Sequence, residues 1–156
     1  MKIGTLLRDG NVHLSCEVFP PKKFDGIAQA SQVAREIADL HPAFMSVTYG
    51  AAGSTPGHTL AVAQAVAERG VTPLCHLTCV QSTKEHVQQV LTDMRAAGLE
   101  NVLALRGDLP TTGEPCKDFA YASFAYCVYF SANSFLPACL YFLAIACSEA
   151  ALLENS

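Results

Sequence analysis

Apolar runs of strand length recur about every 30 residues in this chain: LSCEVF from Leu14, FMSVTYG from Phe44, TPLCHLTCV from Thr72 and NVLALRGD from Asn101. Helical spacing fills each gap. The first holds Ile27, Ala30, Ala34, Ile37 and Leu40, with Pro42 marking the exit, and the second holds Leu60, Ala63, Val66 and Ala67, stopping at Gly70. In the third, Ser82 and Glu85 have capping-box spacing ahead of Val87, Val90, Leu91 and Met94, and Gly98 is the stop. Strands separated by helices read as right-handed β-α-β units, and near-continuous apolar strands suit a parallel sheet buried on both faces.

Two folds share that pattern. A doubly wound sheet keeps its ligand residues at one switch point, whereas here every strand ends in polar residues, which favours a barrel. A closed eight-stranded barrel needs ~250 residues, and the chain has 156. The expectation is therefore an α/β chain forming a partial TIM-type (β/α)8 barrel of about four β/α units with a divergent apolar C-terminal tail. The first and fourth strands would be open edges, so instability or association into a homo-oligomer is expected.

Composition divides the chain at one place. All ten Lys and Arg residues and twelve of the fourteen acids lie at or before Asp118, while residues 119–148 carry no charge and hold nine of the thirteen aromatics. Solvent-facing structure is normally about a quarter charged, so that stretch is not an ordinary surface. The boundaries read as 1–123 for the β/α part and 124–156 for the tail. The apolar stretch exceeds the ~20 residues that cross a bilayer, but Ser131, Asn133, Ser134 and Pro137 fall near its middle and no Lys or Arg follows Lys117. The preferred expectation is a tail produced by altered reading, such as a frameshift or unusual splice, on a truncated enzyme.

The formal net charge of -4 comes without a basic run, which argues against a nucleic-acid partner. Seven cysteines form no CxxC pair, and the opening MKIGTLLRDG lacks the apolar core of a signal peptide, so a cytoplasmic location fits. His76 lies on the opposite strand face from Cys75 and Cys79, so no metal site is expected and the thiols are assigned to the core.

The carboxyl ends of parallel strands form one rim, and here it would gather Glu17, Thr48, His76 with Thr78, and Arg106 with Asp108. Strand alternation puts Ser15 with Glu17, Ser46 with Thr48, His76 with Thr78, and Arg106 with Asp108 on shared faces. Each alone has an ordinary alternative: a solvated carboxylate, a β-forming threonine, a hydrogen-bonded core histidine, a simple ion pair. Together they point to a ligand site, because buried polar groups need partners and cluster where ligands bind. Glu17 is the leading catalytic candidate. Val18, Phe19, Pro20 and Pro21 follow it, so desolvation is expected to raise its pKa and suit it to general-acid work. The RGD at 106–108 follows a buried strand and is not read as an adhesion tripeptide. The glycine-rich stretch at 50–59 lacks P-loop and dinucleotide spacing and reads as a mobile rim loop.

The segments SCEVFPPK (15–22), FMSVTYGAAGS (44–54), HLTCV (76–80), ALRGDLP (104–110) and DFAYAS (118–123) resemble, in order and spacing, the flavin-dependent methylenetetrahydrofolate reductases. The resemblance implies a β/α barrel holding FAD, which NAD(P)H reduces and which then passes a hydride to 5,10-methylenetetrahydrofolate to give 5-methyltetrahydrofolate. It implies Glu17 as the catalytic acid that assists opening of the folate's five-membered ring, and Asp108 as the carboxylate beside flavin and pterin. It further implies FAD contacts at Thr48, His76, Arg106, Gly107, Asp108, Tyr121 and Ala122. After Ser123 the resemblance stops, and the Tyr-Pro-Glu and Gln-x-x-Phe segments that complete the family's site are absent from this sequence. The competing expectation is a non-catalytic half-barrel that associates with a membrane or with full-length subunits.

Overall fold

A computed structural model describes residues 1–49, 56–79, 82–105 and 126–129. The elements in chain order are α1 (Ile3–Leu6), β1 (Ser15–Val18), a 3-10 turn (Phe24–Gly26), α2 (Ile27–Ala38), β2 (Phe44–Val47), α3 (Pro56–Ala67), β3 (Thr72–Thr78), α4 (Lys84–Ala96), β4 (Asn101–Leu105) and β5 (Tyr126–Tyr129). The sheet order is β1-β2-β3-β4-β5. The first four strands pair in parallel with helices between them, the four parallel β/α units of a partial TIM-type barrel. β5 pairs antiparallel with β4, which corrects the expectation that the fourth strand is an open edge. Among the described residues β1 pairs on one side only.

Helix boundaries follow local chemistry. Gly70 and Gly98 take positive φ, at 78° and 73°, just beyond α3 and α4, where an L side chain would be strained. The α4 cap lies one residue later than the capping-box spacing implied: the Thr83 hydroxyl accepts from the His86 backbone N–H at 3.2 Å. Ser82 instead is buried, its N–H donating to the Cys79 carbonyl at 3.0 Å. Pro56 opens α3, as suits a residue with no N–H to leave orphaned, so Pro56 to Thr59 are helical rather than loop. Leu40 falls past the Asp39 cap that ends α2 and is exposed, and His41 just beyond it takes a positive φ of 55°.

The two sheet faces differ. On the helix side, Met45, Val47, Cys75, Leu77 and Val102 pack against Ala34, Val62, Val66, Val90 and Met94, all buried. Full burial of such a side chain contributes about 1.5–3 kcal/mol. On the other face, Phe44 and Leu74 meet Ile3, with Leu6 and Leu103 packed against them, so α1 plugs the end where the strands begin. The strands then carry Ser46 and His76 farther along this same face. One face thus changes from apolar floor to polar rim along the strand direction.

Candidate functional site

Register decides which polar groups meet. Glu17 is aligned with Ser46 on β2, and Ser46 with Leu74 on β3. His76 lies two residues beyond Leu74, so period-two alternation returns it to the Glu17 face. The outcome is a pair spanning the middle strand, with His76 Nδ1 and Glu17 Oε1 4.0 Å apart.

The two members are unequally covered. The His76 side chain is 14% exposed and that of Glu17 is 48% exposed. Burial pushes the His76 pKa below its ordinary 6.5, since the imidazolium loses solvation, while the Glu17 carboxylate opposes that by favouring the charged ring. The desolvation foreseen for Glu17 is not supplied by its neighbours here: β1 is an edge strand and Phe19 is 73% exposed. Glu17 instead forms part of the wall of an open cleft of ≈ 380 Å³ along β1, shared with Phe19, Pro21, Gly26, Val33 and Val62.

Thr48 follows β2 and is half-buried. Its backbone is fixed on both sides, the N–H donating to the Val18 carbonyl at 3.0 Å and its own carbonyl accepting from Thr59 Oγ1 at 3.0 Å. Thr78 is buried one alternation beyond His76. The next strand joins at Leu105, whose carbonyl accepts from the Cys79 N–H at 2.9 Å. Arg106, Gly107, Asp108, Tyr121 and Ala122 lie outside the described residues. Cys75 and Cys79 pack in the core on the far face from His76, and burial pushes their thiols up to about 12 and about 11.

Three residues near the rim were not singled out from the sequence. Thr59, fully buried, ties α3 to the end of β2. His58 Nδ1–H donates to the Pro21 carbonyl at 2.8 Å. Tyr49 is buried and its hydroxyl has no hydrogen-bond partner among the described residues; burial first, and then the Cys79 thiol, push it up to about 12. Pro56 was the available signal for the first two, because a helix beginning there places His58 and Thr59 in its first turn. Alternation from Val47 places Tyr49 on the helix side.

The sequence model of one family, Methylenetetrahydrofolate reductase, matches residues 2–129. Methylenetetrahydrofolate reductase (NADH) 1 of Arabidopsis thaliana is 36% identical over 110 residues, which cover 70% of this chain and 19% of the relative. The 5,10-methylenetetrahydrofolate reductase of Pectobacterium carotovorum is 33% identical over 105 residues, covering 67% of this chain and 35% of the relative. Methylenetetrahydrofolate reductase 2 of Schizosaccharomyces pombe is 36% identical over 119 residues, covering 73% of this chain and 19% of the relative. The chain thus spans about a fifth to about a third of the length of these curated relatives.

Proposed function

The chain belongs to the methylenetetrahydrofolate reductase family, and from that premise we propose that its strand-end rim binds FAD and takes part in reducing 5,10-methylenetetrahydrofolate to 5-methyltetrahydrofolate with NAD(P)H in the cytoplasm. The observation that carries the proposal is the Glu17 and His76 pair at 4.0 Å on one sheet face.

The donor set suits a flavin. Thr48 and His76 are half-buried polar groups at neighbouring strand ends, above the apolar floor of Phe44, Leu74 and Leu103. A flat, mostly apolar ring with polar edges needs such a combination. Thr48 and His76 would hold it from the described strands, with Arg106, Gly107, Asp108, Tyr121 and Ala122 as further contacts. When bound, FAD carries two electrons from NAD(P)H to the folate.

The protein's own part is proton supply and placement. Glu17 delivers a proton to the nitrogen that leaves as the five-membered ring opens, and its half-exposed carboxyl becomes desolvated when ligands cover the rim. His76, kept neutral by burial, presents an uncharged ring with one donor and one acceptor. Asp108 acts as the carboxylate beside flavin and pterin.

Titrating FAD with the purified full chain tests the proposal. Quenched flavin fluorescence, bleaching by NADH or NADPH without oxygen and reoxidation by 5,10-methylenetetrahydrofolate are the expected results. A colourless chain that cannot be reconstituted with FAD would overturn catalysis by this chain.

A second reading, a non-catalytic half-barrel bound to full-length subunits, is favoured by the open β1 edge with Leu14 and Phe19 exposed. A mass in light scattering that rises when a full-length relative is added would support it. No helix among the described residues is long and apolar enough to cross a membrane.

A further inference from the structure

The turn that leads the chain away from Glu17 is gripped from two elements. Among the described residues β1 is bonded on one side only, and its attachment to β2 ends at the Thr48 N–H and Val18 carbonyl. Beyond that point Pro20 and Pro21 have no N–H to offer a ladder. The Pro21 carbonyl instead accepts from His58 Nδ1–H at 2.8 Å, in the first turn of α3. A carbonyl only accepts, so this contact also fixes the His58 tautomer. The His58 ring is held in turn by Phe24, with centroids 5.9 Å apart at 59°. From the 3-10 turn, Gly26 approaches so closely that a Cβ there would sit 3.0 Å from Pro21 Cβ and 3.2 Å from Pro21 Cγ.

We infer that His58 and Gly26 are positioning residues, which clamp the diproline turn and thereby hold the Glu17 carboxylate beside His76. The edge strand explains the need for a clamp. Without one, the carboxyl end of β1 is fixed by β2 alone, and a half-exposed side chain on it has little to keep its place. The inference rests on the reading of Glu17 as proton donor for its catalytic meaning, but the geometry it asserts can be measured without flavin or folate.

The test is an NMR titration of the His76 ring in the full chain. The Glu17 carboxylate favours the imidazolium, so Glu17→Gln lowers the His76 midpoint. His58→Ala is expected to lower it to the Glu17→Gln value, with no further fall in the double variant. His58→Asn, which keeps an N–H donor, is expected to restore the midpoint toward wild type, and Gly26→Ala, which presses on Pro21, to lower it. A folded His58→Ala chain with the wild-type midpoint would overturn the inference. Should His58→Ala not fold, a wild-type midpoint in Gly26→Ala overturns it equally. A purely structural contact would lower the melting temperature and leave the midpoint in place. Failure of FAD binding by the wild-type chain would strike the proposed function and leave these midpoints as they are.

Discussion

Asn101, at the start of β4, accepts from the Ile3 backbone N–H at 3.1 Å through Oδ1 and donates to the Met1 carbonyl at 3.0 Å through Nδ2. The side chain is buried, and its bond with the Ile3 N–H is made out of water, while the bond to the exposed Met1 is part-buried. Replacing it with leucine leaves a buried N–H without an acceptor, which costs about 1–3 kcal/mol. Urea denaturation of Asn101→Leu should show that loss. Unchanged stability would mean that α1 is not docked through this residue.

Thr59→Val removes the hydroxyl that the Thr48 carbonyl accepts from, with little change in shape. A net loss of about 0.5–1.5 kcal/mol is expected. Thr59→Ser should recover most of it. If the valine variant also binds FAD more weakly while the serine variant does not, the anchored Thr48 backbone belongs to the flavin site.

Glu17→Gln keeps the shape of the side chain and removes the proton-donating role proposed for it. Flavin reduction by NAD(P)H should persist, and folate reduction should fall by ~10²–10⁴. Rapid-mixing measurements of the two half-reactions separate these outcomes. Equal losses in both would assign Glu17 to binding instead.

His76 gives stability a pH dependence of definite sign. Its folded pKa lies below the ordinary 6.5, so between the two values the unfolded chain binds more protons. Its contribution is therefore complete above about pH 6.5 and is lost as the pH falls through that window. Melting temperatures should fall more steeply on acidification in wild type than in His76→Gln. Identical slopes would show that the ring is not buried as described.

Cys75 and Cys79, buried with thiols raised to about 12 and about 11, should resist alkylation in the native chain and react once it is unfolded. Peptide mapping after brief iodoacetamide treatment distinguishes them from the partly exposed Cys16. Rapid native labelling at Cys75 would contradict its place in the core.

Much of this architecture was legible because it is written in periodicity. The strand runs at Leu14, Phe44, Thr72 and Asn101 contain β1 to β4, and Gly70 and Gly98 stop helices because only glycine adopts positive φ without strain. Glu17 and His76 were each legible as rim residues, but their pairing across β2 follows from strand register, which the separate runs do not give. What escaped depends on three-dimensional neighbours. Glu17 is half-exposed because β1 is an edge, a position the sequence predicts for the first strand, whereas the apolar residues after Glu17 point toward burial. The α4 cap moved to Thr83 because Ser82 is drawn inward. α1 has a single turn and no period to read, and β5 reaches β4 across a long stretch of chain.

The strictly sequential strand order has a consequence for biosynthesis. β2, β3 and β4 each pair with the strand made just before, so the sheet can extend one unit at a time as a nascent chain emerges, every closure spanning only the helix between. Asn101 adds links of another kind, since its bonds to Ile3 and Met1 join residues 98 and 100 positions apart and form only once β4 is made. A ribosome-bound chain arrested before Asn101 would hold α1 through the contact of Ile3 with Phe44 and Leu74 alone, its polar latch still unmade.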